Sequence, residues 1–154
     1  MSAVIQLQRD AVVAEARAWL RTPYHHRGCV KGVGVDCCRF LEGVWRAAGY
    51  DICEITQPYS IDWNLHRDAE LIVDGLLQYC DEIDPVQLQP ADILAWRYGR
   101  TFAHVGIYLG GEMYIHSHRR SGGVVLDRMS DEEVRKRPMR CFAYRWPEGA
   151  SYGR

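Results

Sequence analysis

The stretch Val35-Asp36-Cys37-Cys38-Arg39-Phe40 predicts the start of a buried helix with a cysteine in its first turn. Asp36 is a preferred N-cap residue, an apolar face follows at helical spacing, and Gly49 suits the position just beyond the end. We therefore predict a helix from Cys37 to about Ala48. Unpaired N–H groups and the helix dipole favour a thiolate at that position, so Cys37 is the candidate nucleophile. Cys38 points about a third of a turn away and is expected to be packed.

Helices come first along the chain and strands follow. We predict helices over Ala11–Leu20, with Asp10 as N-cap, and over about Leu65–Gln78. The predicted strands are Asp92–Trp96, His104–Leu109, Glu112–His118, Val124–Leu126 and Cys141–Trp146, with one helical turn over Ser130–Val134 in which Ser130 and Glu133 resemble a capping box. This segregation predicts one α+β domain over residues 1–154, its helical layer packed on one face of an antiparallel meander.

Histidines on the predicted strands can supply the base that a cysteine nucleophile needs. His104 lies on the polar face of its strand, with Gly106 beside it. A hairpin folded at Gly110-Gly111 pairs Leu109 with Glu112 and brings His104 close to position 117. His116 is then a near-diagonal neighbour that can hold the base in one tautomer, and His118 competes for this role.

Tyr24 lies in the loop before the candidate nucleophile, after Pro23. Its phenol can stabilise an oxyanion together with the N–H of Cys37, although an aromatic plug over the core explains it equally well. Structural zinc at His25, His26, Cys29 and the Cys37-Cys38 pair is disfavoured, because zinc ligands usually occur in regularly spaced pairs. We expect no metal site.

Composition and sequence patterns argue against nucleic-acid binding and membrane insertion. The formal net charge of −1 gives no indication of nucleic-acid binding. No apolar run is long enough to cross a bilayer, and residues 1–6 lack the pattern of an export signal, so we expect synthesis in the cytoplasm. The six cysteines form no regular framework and are expected to be free thiols.

Together these segments resemble the NlpC/P60 family of cell-wall cysteine peptidases, a papain-like superfamily. Val35-Asp36-Cys37 with Phe40 is similar to the family's nucleophile motif, and Thr22-Pro23-Tyr24 to the loop before it. The other matching segments are Gln89–Leu94, His104–Gly110, and Ile115-His116 followed by Gly123-Val124. The order of five segments over about residues 11–144 is specific, although each alone is weak.

The resemblance implies a papain-like core with N-terminal helices on a five- or six-stranded antiparallel sheet. It also implies Cys37 as nucleophile, His104 as base, His116 as orienting residue and no metal or organic cofactor. The expected reaction is hydrolysis of peptidoglycan stem peptides between D-glutamate and a diamino acid. Cys38-Arg39 replaces the usual Ser-Gly, so Arg39 adds a cation that can favour the thiolate or contact a substrate carboxylate.

Short members of the family without a signal resemble phage-tail and gene-transfer-agent peptidases. That likeness implies a domain carried to the cell wall or periplasm on a phage tail or phage-like particle, with tail-tip proteins as partners. Two alternatives stay open at this stage. One is a catalytically silent tail-tip component with the same fold, and the other is an amidase or acyltransferase that uses the same thioester.

Overall fold

The computed structural model describes residues 1–52 and 70–148. The helices are α1 (Ala3–Ala18), α2 (Cys37–Ala47), α3 (Leu71–Leu76) and α4 (Glu132–Arg135). The strands are β1 (Cys29–Val30), β2 (Gly34–Val35), β3 (Cys80–Ile83), β4 (Ile93–Tyr98), β5 (Thr101–Gly110), β6 (Met113–His118), β7 (Gly123–Arg128) and β8 (Met139–Tyr144). Within these two ranges, no helix has the length and apolar character needed to cross a membrane.

Strands β3 to β8 form one antiparallel sheet of six strands in the order β3-β8-β4-β5-β6-β7. The predicted α+β class, with N-terminal helices and an antiparallel sheet, is confirmed. The predicted meander is right only for β4 to β7, because β8 returns to lie between β3 and β4. Sequence analysis also missed β3, an edge strand whose two central residues, Asp81 and Glu82, are acidic and exposed.

Helix α2 forms as predicted. The two carboxylate oxygens of Asp36 accept hydrogen bonds from the backbone N–H groups of Arg39 (2.8 Å) and Arg27 (2.7 Å). Ala48 is the C-cap, and Gly49 follows with a φ of +91°. Phe40 and the rest of the apolar face are buried, and each large side chain at that depth contributes about 1.5–3 kcal/mol. Capping and burial together fix the first turn of α2.

Helix α1 begins eight residues earlier than Ala11, at Ala3, and ends at Ala18 rather than Leu20. Asp10 is therefore not its N-cap; the hydroxyl of Ser2 accepts from the Ile5 N–H at 3.2 Å. Two buried polar residues explain why the start of α1 was predicted too late. Gln8 and Arg9 occupy buried positions, and their side chains bond to the far end of the chain and to the sheet, which hid the helical pattern.

Two shorter predictions need correction. Helix α3 covers Leu71–Leu76, which is only part of the predicted range Leu65–Gln78. The predicted residues before 70 lie outside the described residues. Helix α4 has Asp131, not Ser130, at its N-cap position, and that cap makes no side-chain hydrogen bond.

Candidate active site

The thiol of Cys37 lies at the first position of α2, partly buried where the helix meets the sheet. Its Sγ is 3.8 Å from the Cys38 Sγ and 3.7 Å from the Ala103 carbonyl oxygen on β5. Hydrogen bonding from Cys38, and then from His104, lowers the pKa of Cys37 to about 6, although burial opposes the shift. The lowered pKa of Cys37 favours the thiolate, which is the nucleophilic form.

A β-bulge at Ala103 presents His104. Strand β4 pairs Trp96 with His104 but Arg97 with Phe102, so Ala103 is the extra residue. Bulges of this kind redirect the neighbouring side chains. The imidazole of His104 lies 5.9 Å from the Trp96 ring, centre to centre, and is 8% exposed. Burial lowers its pKa although the adjacent Cys37 raises it, so His104 is suited to accept a proton as a neutral base.

His116, and not His118, bonds to His104. The distance from His104 Nε2 to His116 Nδ1 is 2.6 Å. The His118 ring lies 5.6 Å from that of His104, but its nitrogens face Ser121 (2.9 Å) and Glu133 (3.4 Å). Because Nε2 of His104 is engaged by His116, Nδ1 is the nitrogen of His104 left for its interaction with Cys37.

The register of the β5–β6 hairpin differs by one residue from the prediction. Tyr108 pairs with Tyr114, and a bulge at Leu109 replaces the expected Leu109–Glu112 pair. A one-residue shift moves every side chain of a strand to the other face, so the true register is what puts His104 and His116 on the same face. Gly106 permits close packing beside His116, because a Cβ there would lie 3.0 Å from the Tyr114 ring and 3.4 Å from the His116 Cβ.

Asp127 is a member of the cluster that sequence analysis missed. Its carboxylate Oδ2 lies 2.7 Å from the Nε2 of His116. The predicted strand ended two residues too early, at Leu126, whereas β7 continues to Arg128 and pairs Asp127 with Tyr114. Extending the predicted strand to Asp127 and pairing it with β6 in the correct register was the signal that could have found it.

Tyr24 interacts electrostatically with the thiol of Cys37. Its loop is fixed by the Tyr24 N–H, which donates to the Gly122 carbonyl at 2.8 Å, and by a bridge between Tyr24 and Val35. Burial, and next the negative charge of Cys37, raise the pKa of Tyr24, so the phenol keeps its proton. A protonated phenol beside the nucleophile is suited to donate to an oxyanion.

Arg39 pairs with a carboxylate on its own helix. Its Nη1 donates to the Glu42 carboxylate at 2.8 Å, and Glu42 also accepts from Arg46 at 2.7 Å. The groups that lower the pKa of Cys37 are Cys38 and His104. The structure therefore assigns Arg39 to an ion-pair cluster on α2 and does not bring its guanidinium to Cys37. Within residues 1–52 and 70–148, no group of three or more His, Cys, Asp or Glu side chains is arranged to hold a metal ion.

The contact between Cys37 and His104 gives a first testable prediction. Alkylation of Cys37 by iodoacetamide, followed residue by residue with mass spectrometry, should rise with a midpoint near pH 6. In His104→Ala the midpoint should move toward the ordinary thiol value of 9.0, stopping short of it because Cys38 still donates. His118→Ala is the matched control and should leave the midpoint in place. An unshifted midpoint in His104→Ala would contradict the proposed contact.

Comparison with known proteins places this geometry in a family. The NlpC/P60 family model matches residues 21–142. The NlpC/P60 domain of the peptidoglycan hydrolase SagA has a TM-score of 0.58 and 24% identity, over 86% of this chain and 96% of that one. No curated protein matches the chain.

Solved structures with lower sequence identity share the fold. The peptidoglycan hydrolase RipB of Mycobacterium tuberculosis has a TM-score of 0.62 and 15% identity, over 93% of this chain and 68% of that one. NlpC1 of Trichomonas vaginalis has a TM-score of 0.66 and 16% identity, over 91% of this chain and only 45% of that one. The family match covers most of the sequence, and the chain belongs to the NlpC/P60 family.

Proposed function

We propose that this protein is a cysteine peptidase that hydrolyses peptide bonds in peptidoglycan stem peptides. The observation that carries the proposal is the connected pair of a low-pKa thiol at a helix start, Cys37, and a neutral, oriented imidazole, His104. A nucleophile, a base and an orienting group in contact are the minimum that acyl transfer needs. Neighbours of similar fold that are named as peptidoglycan hydrolases support cell-wall peptides as the substrate class.

In the proposed reaction the Cys37 thiolate attacks the scissile carbonyl carbon and forms a C–S bond. The carbonyl oxygen becomes an oxyanion that can accept hydrogen bonds from the Cys37 backbone N–H and the Tyr24 hydroxyl. His104, which has taken the thiol proton, then donates it to the leaving amine as the C–N bond breaks. Water, deprotonated by His104, hydrolyses the resulting thioester and regenerates the thiol.

The bond cleaved is proposed to lie between D-glutamate and a diamino acid, as the family resemblance implies. We also propose delivery on a phage tail or phage-like particle, with tail-tip proteins as partners, from the resemblance to phage-tail and gene-transfer-agent peptidases. Detection of the protein in purified particles by mass spectrometry tests this context. Its absence from such particles would contradict it.

Digestion of purified sacculi tests the activity. Wild-type protein should release stem-peptide fragments, and mass spectrometry should find a new amino terminus on the diamino acid. A sample alkylated beforehand with iodoacetamide is the control and should release none. Fragments that carry an added amine nucleophile in place of water would instead indicate an acyltransferase. Release that is no greater than in the alkylated sample would favour the silent structural component.

A further inference from the structure

We infer that Asp127 is a positioning residue that fixes the tautomers of both histidines, so the site comprises four groups in series rather than three. This inference rests on the proposed function, because it concerns how His104 is kept ready to accept the Cys37 proton. The observations that carry it are two short nitrogen contacts in sequence. They are 2.6 Å between His104 and His116, and 2.7 Å between His116 and Asp127.

Hydrogen-bond polarity follows from the chemistry of the three side chains. An ionised carboxylate only accepts, so Asp127 requires a proton on Nε2 of His116. A neutral imidazole carries one N–H, so His116 Nδ1 is then an acceptor and requires a proton on His104 Nε2. Neutral His104 consequently has a bare Nδ1, the nitrogen that its bond to His116 leaves for Cys37. A single carboxylate thus determines which atom of the base can receive the proton.

Among residues 1–52 and 70–148, the carboxylate hydrogen-bonded to His116 is that of Asp127. Other side chains that interact with His116 electrostatically include His104, His118 and Glu133. Glu133 lies 3.4 Å from His118 and 3.5 Å from the Tyr98 hydroxyl, rather than on His116. His116 is 2% exposed, so its Nε2 bonds to Asp127 rather than to solvent.

Asp127 is held ionised and in place by the sheet. It lies opposite Tyr114 in the β6–β7 ladder, while His116 lies opposite Val125, so the two side chains are diagonal neighbours on one face. Its side chain is 37% exposed, which keeps the carboxylate partly hydrated. The hydrogen bond from His116 lowers the pKa of Asp127, so it carries its charge at neutral pH.

Nitrogen-15 NMR of the histidine side chains tests the inference directly, at a pH where both rings are neutral. In the wild type, His104 and His116 should each be protonated on Nε2. In Asp127→Ala the preference of His116 should be lost, and a detectable fraction of His104 should carry its proton on Nδ1. Glu133→Gln is the matched control, since it removes a nearby charge that bonds to His118, and it should leave both tautomers unchanged.

Alkylation of Cys37 at pH 7 supplies a second readout. Asp127→Ala should slow it by about threefold to tenfold, because part of the thiolate is lost while Cys38 still donates, whereas Glu133→Gln should change it less than about twofold. Asp127→Val, which keeps a strand-forming side chain, guards against a folding defect and should behave as Asp127→Ala. Unchanged tautomers in both Asp127 variants would overturn the inference and leave the peptidase proposal intact. Wild-type tautomers without any hydrolysis of sacculi would overturn the peptidase proposal instead.

Discussion

Cys37→Ala is expected to lower the release of stem-peptide fragments from sacculi by roughly a thousandfold or more. The variant loses the only atom proposed to form a covalent bond to the substrate. The remaining imidazole and oxyanion donors then have no nucleophile to assist. The methyl group of Ala fits where the thiol was, so the fold should be retained. Fragment release measured by mass spectrometry, with circular dichroism to check folding, provides the test.

Cys38→Ala is the matched control for this prediction. It removes the adjacent thiol but leaves the nucleophile, so activity at pH 8 should fall much less than in Cys37→Ala. Because the hydrogen bond from Cys38 is the largest influence lowering the pKa of Cys37, the loss should be greater at pH 6 than at pH 8. Equal activity of wild type and Cys37→Ala would refute the thiolate mechanism.

Arg9→Met is expected to lower the free energy of unfolding by about 3–5 kcal/mol, the largest stability effect predicted here. Arg9 Nη1 donates to the Asp92 carboxylate at 2.7 Å and to the Pro90 carbonyl at 2.8 Å, which ties α1 to the start of β4. Asp92 is 1% exposed, so the substitution leaves a buried carboxylate without its cation. Urea unfolding of the two proteins at pH 7 measures the difference.

Two measurements serve as controls for Arg9→Met. One is the pH dependence of its stability loss, and the other is the loss caused by breaking an exposed ion pair. Burial raises the pKa of Asp92 even with Arg9 present, and loss of Arg9 raises it further. The deficit of Arg9→Met should therefore shrink as pH falls from 7 toward 4, because a protonated Asp92 is neutral. Arg140 and Glu82 form an exposed pair at 2.7 Å, and Arg140→Met should cost no more than about 1 kcal/mol. Equal losses in the two variants would contradict this account.

Local signals in the sequence were sufficient for the element that carries the nucleophile. Asp36, the apolar face of α2 and Gly49 act within a few residues of one another, so their effect is independent of the rest of the chain. The alternating pattern of β5 was similarly clear and identified His104 as the residue on its polar face. Both elements formed where they were predicted.

Long-range contacts explain what sequence analysis missed. Arg9 looks like a surface residue until Asp92, 83 residues away, gives it a buried partner. Strand β3 looks too polar to be a strand until Arg140 and Arg145 of the β8 segment pair with its acidic side chains. Asp127 was missed because the predicted strand stopped at Leu126, and only the pairing of β6 with β7 places Asp127 diagonally opposite His116.

The sequence by itself determined the helix that begins at Cys37, the strands that carry the histidines, and the family to which the chain belongs. These depend on capping, periodicity and motif order, which are properties of neighbouring residues. The tertiary structure alone decided that His116 contacts His104, that Asp127 extends the series, and that Arg39 pairs with Glu42 away from the thiol. The physical reason is that strand register, bulges and competition between charged partners are settled only when distant segments pack together.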